Sequence, residues 1–174
     1  PGETLAAPSR LVRLFSVRHD FPDAWHRWLH PGEPLPEVIL DLDLSRNRFP
    51  YYPPELSIAI QELRFVFVTK PGASADGLLA TLVFAPDDGS ATLAATTSPS
   101  NAPFAVNDDL ASLVMCTYTP ADGSDLGSWK LRIRGTDNAA STTTILDIDD
   151  GTGTLRMIPE AVKDLFLLCT YDLV

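Results

Sequence analysis

Basic residues are scarce in this sequence. Its 174 residues include 13 Lys and Arg against 23 Asp and Glu, which gives a formal net charge of −10 at pH 7. Proteins that bind nucleic acid or an anionic membrane surface carry clustered cations that neutralise phosphate groups. The composition therefore argues against both kinds of partner, and we interpret the acidic excess as a solubility feature.

Long apolar runs are also missing. No stretch approaches the roughly 20 apolar residues that a transmembrane helix requires. The hydrophobic fraction of 45% is nevertheless that of a folded protein rather than a disordered one. The chain has the length of one ordinary domain and does not start with Met. We expect residues 1–9, rich in Pro, Gly and Ala, to be a linker or trimmed remnant. Residues 10–174 are then a single domain excised from a larger protein.

The sequence lacks the motifs that mark common catalytic centres. It has no Gly-x-Ser-x-Gly elbow for a serine hydrolase and no glycine-rich loop for a phosphate group. Neither cysteine lies in the basic surroundings that would activate a thiol. We therefore expect a protein that is not an enzyme, with no catalytic, cofactor-binding or metal-binding residues.

Only two cysteines occur, and they lie in near-identical strings. Cys116 stands in VMCTY and Cys169 in LLCTY. If the two strings form neighbouring strands, a disulfide is geometrically feasible. The alternative, which we favour, is two buried thiols, because Cys packs well inside sheets.

Alternating apolar and polar residues dominate the rest of the chain. The pattern is clear over 38–45 and 129–134, where every second residue is apolar. Strand-like segments recur about every 8–12 residues between turns that contain Gly, Pro and Asp. These features predict a mostly β fold, an antiparallel β-sandwich or jelly roll. Within 56–67 the apolar phase flips, so we expect a bulge or a short break near Gln61 and Glu62.

One short helix is predicted near residues 21–30. Asp20 is positioned to cap it, Pro22 fits its first turn, and Pro31 ends it. Its apolar side chains fall at i, i+4, i+7 and i+8: Phe21, Trp25, Trp28 and Leu29. A helix of this length needs tertiary packing to persist, so we expect the stripe to face the core.

The helix region also carries a family resemblance. Residues 15–26 (FSVRHDFPDAWH), followed by LHP at 29–31, resemble a segment near the C-terminal end of the A component of bacterial toxin complexes, the Tc toxins. There an FSL(R) strand runs into FPDAW. Residues 60–67, 127–133 and 160–171 are similar to further strands of that region.

The resemblance implies a β-sandwich module of a very large, secreted or surface-associated assembly involved in virulence. It implies a scaffold role, subunit docking or receptor contact, and no catalysis. The expected partners are other domains or subunits of the assembly, or a surface receptor or glycan.

Tyr51 and Tyr52 are the candidate contact residues. They lie in a Pro-rich loop, where two rings can form a platform for a sugar or a protein. The alternative for these rings is packing over the end of the sheets. A sugar platform would make the chain a carbohydrate-binding, lectin-like module, which is our second functional hypothesis.

Three groups of side chains resemble parts of metal or sugar sites. His26 and His30 are one helical turn apart, but the sequence offers no third ligand nearby. Asp41 and Asp43 share one strand face, which is more often simply solvated. The acidic turn at 147–150 has the start of a calcium loop without its full spacing, and an Asp-Gly turn explains the same residues. We therefore assign no metal to any of them.

Overall fold

Strands make up most of the computed structural model. It describes residues 10–33, 35–50, 55–86, 102–110, 112–120, 126–136, 144–149 and 152–174. Every strand pairing within these ranges is antiparallel. The predicted mostly β, antiparallel fold is confirmed.

The strands belong to three sheets. In chain order they are β1 (Leu11–Ser16), β2 (Val38–Leu44), β3 (Ile58–Thr69), β4 (Leu78–Pro86), β5 (Ala102–Pro103), β6 (Ala105–Asn107), β7 (Leu113–Tyr118), β8 (Gly127–Thr136), β9 (Leu146–Asp149), β10 (Thr154–Met157) and β11 (Val162–Leu173). The five-stranded sheet has the order β1-β11-β3-β7-β6, and the four-stranded sheet has the order β2-β8-β4-β5. β9 and β10 form a two-stranded ribbon.

The inner faces of the two larger sheets share one apolar core. Phe65 on β3 and Leu131 on β8 are both buried in it. The ring of Tyr118 on β7 packs edge-on against that of Trp129 on β8, with 5.9 Å between centroids. This packing is consistent with a β-sandwich, while the jelly-roll connectivity stays a prediction.

The predicted helix near 21–30 is present as α2 (Pro22–Leu29), and a shorter helix, α1 (Val17–Asp20), precedes it. We had expected Asp20 to cap α2, but it does not. It ends α1, and its carboxylate accepts the backbone N–H of Ser16 at 2.7 Å. The N-cap position of α2 belongs to Phe21, which makes no side-chain capping bond.

The apolar stripe of α2 faces the core, but not evenly. Trp28 is 1% exposed and its ring stacks on that of Phe67 from β3, with centroids 6.0 Å apart. Trp25 is only half-buried. The helix therefore anchors through Trp28, with Phe21 and Leu29 beside it in the core.

The phase flip in β3 is a β-bulge, as predicted. Thr170 on β11 pairs with Glu62, whereas the next residue, Tyr171, pairs with Ile60. Gln61 is thus the extra residue, and it lets Ile60 and Leu63 both point into the core.

The two cysteines form no disulfide. Cys116 lies on β7 and Cys169 on β11, and β3 runs between these strands. Strands two positions apart are about 10 Å apart, beyond the reach of a disulfide. Both thiols are buried, which confirms the alternative that we favoured.

Candidate functional site

The candidate contact residues Tyr51 and Tyr52 lie outside the described residues. The aromatic platform therefore stays a prediction. Most of the other polar side chains singled out from the sequence are described, and the structure places them at separate points of the surface.

His26 on α2 and His30 just after it are both exposed, and their rings are tilted by 44° with 4.9 Å between centroids. Across the ranges that the structure describes, no three His, Cys, Asp or Glu side chains are grouped closely enough to hold a metal ion. The two rings are best explained as neighbours on a solvated helix face.

Asp41 and Asp43 point outward from β2, the edge strand of the four-stranded sheet. The Asp41 carboxylate lies 3.4 Å from Lys130 Nζ on the neighbouring strand β8. Asp43 accepts a hydrogen bond of 3.2 Å from the hydroxyl of Ser45. Both carboxylates border a shallow cleft of about 210 Å³ beside the start of α2, into which Arg27 also projects. Charges of both signs thus meet there, as on a solvated surface.

The acidic turn after β9 is only partly described. Asp147 forms a cross-strand ion pair of 2.9 Å with Arg156 on β10. The side chain of Asp149 and the whole of Asp150 lie outside the described residues. The ion pair accounts for Asp147 without a cation, and calcium binding stays untested.

The thiols are poorly suited to nucleophilic chemistry. Burial raises the pKa of Cys116 to about 11 and that of Cys169 to about 12, because an apolar interior disfavours the thiolate. At neutral pH both groups are therefore protonated.

The outer face of the five-stranded sheet is the feature that sequence analysis missed. Phe15, Leu167 and Phe65 lie side by side in the pairing register and point into the core. Their chain neighbours therefore point outward. The outward register positions include polar residues, among them Arg64, Thr117 and Thr170, and six apolar ones that we call the outer apolar face: Val12, Leu14, Val66, Met115, Phe166 and Leu168.

The outer apolar face is most open at the edge strand β1. Val12 is 62% exposed and Leu14 is 54% exposed, whereas Val66 and Met115, nearer the middle of the sheet, are buried. Phe166 and Leu168 on β11 are half-buried. Thr170, Arg64 and Thr117 lie among these apolar side chains on the same side of the sheet. Exposed apolar side chains grouped on the solvent side of a sheet are typical of a surface that contacts another macromolecule.

A buried carboxylate fixes β1 at the rim of this face. Asp164 on β11 accepts a hydrogen bond of 2.6 Å from the Ser16 hydroxyl and one of 3.2 Å from the backbone N–H of Arg18. The same hydroxyl accepts the backbone N–H of His19 and so caps α1. β1 is thereby tied to β11 at the point where the chain turns into helix.

None of the helices in the described ranges is long and apolar enough to cross a membrane.

The likeness to the A component of toxin complexes rests on the sequence segments given above. Comparison of the chain with protein-family models, with curated proteins and with solved structures found no match.

Proposed function

We propose that this chain is a non-catalytic interaction module of a toxin-complex-like, secreted or surface-associated assembly. It docks onto another domain or subunit of that assembly through the outer apolar face. The observation that carries the proposal is the exposure of Val12 and Leu14, which are more than half open to solvent and lie close to the apolar Leu168 and Phe166.

The contrast with the rest of the surface supports docking at this face. On the other sheet, the outward side chains of β8 are charged, and they form ion pairs with β2. A solvated sheet face usually has this polar character, while strands that are apolar on both sides are typical of sheets covered on both sides. The outer apolar face therefore has the composition of a covered surface.

The proposal does not include catalysis because, within the described ranges, the reactive groups lie apart from one another. Cys116 and Cys169 are buried and protonated, and the carboxylates Asp41 and Asp147 are engaged in exposed ion pairs. A catalytic centre needs a nucleophile or base, its orienting partner and a stabiliser within reach of one point.

The test is a binding titration of the whole chain against the remaining domains of its parent polypeptide and the sister subunits. Leu14→Asp places a charge in the exposed part of the face and should abolish binding. Val83→Asp is the matched control, since Val83 is a half-buried apolar residue on the outer side of the four-stranded sheet.

Equal binding by the wild type and Leu14→Asp would overturn the proposal. A glycan array run on the same proteins addresses the second hypothesis, because sugar binding that Tyr51→Ala or Tyr52→Ala removes would make the chain a carbohydrate-binding module.

A further inference from the structure

The backbone of β1 forms an open edge of the five-stranded sheet. Within the described ranges β1 pairs only with β11, and their register from Leu11 to Ser16 has no bulge. β6, the opposite edge strand of the same sheet, has only three residues. An edge strand without a bulge or a proline presents backbone N–H and C=O groups with which a further strand can pair.

The bond between Ser16 and Asp20 shows which backbone groups of β1 are open. The Ser16 N–H donates to the Asp20 carboxylate at 2.7 Å, so it points away from β11. The backbone groups of an antiparallel strand alternate in direction from one residue to the next. The N–H and C=O groups of Val12 and Leu14 therefore also point away from β11, whereas those of Arg13 point toward it. Among the described residues, none forms a hydrogen bond with the open groups of Val12 and Leu14.

The side chains of β1 differ between its two sides. Val12 and Leu14 point outward and are more than half exposed. Arg13 points to the other side, where its guanidinium lies over the ring of Phe15 with 5.3 Å to the centroid. A strand added beside β1 therefore meets two apolar side chains on one side and a cation on the other.

Arg13 is a half-buried cation without an anionic partner in the part of the chain that the structure describes. Its guanidinium forms no hydrogen bond or ion pair there, and its Nε is buried. The carboxylates near the two ends of β1 are engaged elsewhere. Asp172 lies 3.9 Å from Arg10, and Asp20 and Asp164 accept backbone N–H groups where α1 begins. Because charges attract each other more strongly at a half-buried site than in open water, this position favours a carboxylate on the added strand.

The same cation disfavours a second copy of the chain at this edge. In an antiparallel pair of two β1 strands, the register that joins Val12 to Leu14 of the second copy uses all of the open backbone groups. That register places Arg13 opposite its own counterpart, and like charges directly opposite each other destabilise a strand pair. The open edge is therefore suited to a strand of different sequence.

We propose that β1 binds an extended segment of its docking partner, which joins the five-stranded sheet as an additional antiparallel strand. The segment has the pattern apolar–acidic–apolar. Its two apolar residues pair with Val12 and Leu14, and its acidic residue lies opposite Arg13 in a non-hydrogen-bonded pair, where side chains are closest. This inference rests on the proposed function, because it names the kind of partner at the same surface.

Amide NMR of the whole chain with a blocked heptapeptide tests the inference. The peptide has a central Glu between two Val residues and Thr at the other positions. The amide protons of Val12 and Leu14 should shift downfield because they gain hydrogen bonds. At a peptide concentration about ten times the Kd, they should also exchange with solvent roughly tenfold more slowly. The amide proton of Arg13 already bonds to β11 and should change little.

Two modified peptides separate strand addition from side-chain contact alone. N-methylation of both Val residues removes the N–H groups that face β1 and should abolish binding. N-methylation of the central Glu is the matched control, because that N–H points away from β1 and the peptide should still bind. These experiments use the wild-type protein and so do not depend on the folding of a variant.

Two substitutions in β1 test its own groups. Leu14→Pro removes an open N–H but no bond to β11, so it should abolish peptide binding, whereas Leu14→Thr keeps the N–H and should still bind. Arg13→Glu should weaken binding of the Glu peptide by roughly tenfold and should prefer a peptide with a central Lys. Urea denaturation of each variant shows whether its fold is intact.

The outcomes for this inference and for the proposed function differ. Unchanged amide shifts of Val12 and Leu14 at millimolar peptide would overturn the inference, and so would equal binding of the two N-methylated peptides. If the peptide fails while the whole chain still binds another domain of the assembly and Leu14→Asp loses that binding, the proposed function stands. Peptide binding by a chain that binds no part of the assembly would contradict the proposed function and leave strand addition at β1 standing.

Discussion

The two large sheets resemble each other on their inner faces and differ on their outer faces. Inside, each presents fully buried rings and aliphatic side chains to one shared core. Outside, the four-stranded sheet carries charge pairs such as Asp41 with Lys130, whereas the five-stranded sheet carries apolar residues such as Leu14 and Phe166. Stability of the isolated domain accounts for both inner faces. The exposed apolar side chains of the outer face are the ground for the docking that we propose.

The edge strands repeat this difference. Beyond the backbone pairing, Asp41 on β2 and Glu37 just before it form ion pairs with β8 that are partly open to water, and such pairs contribute little to stability. β1 is joined to β11 by the buried carboxylate of Asp164, which holds Ser16 and the start of α1. The edge strand that carries the exposed Val12 and Leu14 is thus also held by a buried side chain.

Substitutions on the inner faces should have the largest effect on stability. They are also the first test of how similar the two inner faces are. Phe65→Ala in the five-stranded sheet and Trp129→Ala in the four-stranded sheet should each lower the free energy of unfolding by about 3–5 kcal/mol, since each opens a cavity in the common core. Urea denaturation measures both, with the exposed Thr117→Ala as control. A large loss for only one of the two variants would show that the sheets do not depend on one core.

The difference between inner and outer faces also limits what the sequence predicts. Alternation identified β2 and β8 because polar residues mark their outward positions. In β1 and β11 several outward positions are apolar too, among them Val12, Leu14, Phe166 and Leu168, so alternation could not show which side lies open. The signal was present as the near-continuous apolar runs at 63–68 and 165–169, which predict strands covered on both sides.

The helix was predicted in place and type, but its anchoring was not. Periodicity assigned Trp25 and Trp28 equally to the core. Their unequal burial depends on how α2 is tilted against β2 and β3, a tertiary property that no local pattern contains. The prediction that Asp20 caps α2 was wrong for a related reason. The backbone turns into α1 four residues before Phe21, and there the Asp20 carboxylate accepts the backbone N–H of Ser16.

Alkaline pH should lower the stability of the domain through the five-stranded sheet, because both cysteines belong to that sheet. Their folded-state pKa values, about 11 for Cys116 and about 12 for Cys169, lie above the ordinary value near 9. The unfolded chain therefore loses these protons first, so the contribution to stability is complete below about pH 9 and is lost as the pH rises through 11 and 12.

Urea denaturation at a series of pH values measures this loss. The double variant Cys116→Ala with Cys169→Ala should show a shallower decline above pH 9, while tyrosine ionisation affects both proteins equally. Identical slopes would contradict the assignment of the thiols to a desolvated interior.

Removing the carboxylate that fixes β1 should have an intermediate effect on the free energy of unfolding. Asp164→Ala leaves the Ser16 hydroxyl and the Arg18 N–H without their acceptor and should cost about 1–3 kcal/mol. Ser16→Ala removes the partner hydroxyl, and a double-mutant cycle in urea should give a coupling of about 0.5–3 kcal/mol. Additive losses would mean that the two side chains act independently and that β1 is held in some other way.

The smallest effect is expected on the charged outer face. Lys130→Ala removes the ion pair with Asp41 and should cost less than about 1 kcal/mol, because both side chains are substantially exposed and water screens their attraction. That loss should shrink further in concentrated salt. Leu14→Thr on the outer apolar face exchanges one exposed side chain for another suited to strands, and its small effect on the free energy of unfolding should not change with salt. Urea denaturation of both variants at low and high ionic strength therefore compares the two outer faces directly. If both respond to salt alike, the chemical difference between the faces has no energetic consequence in the isolated chain.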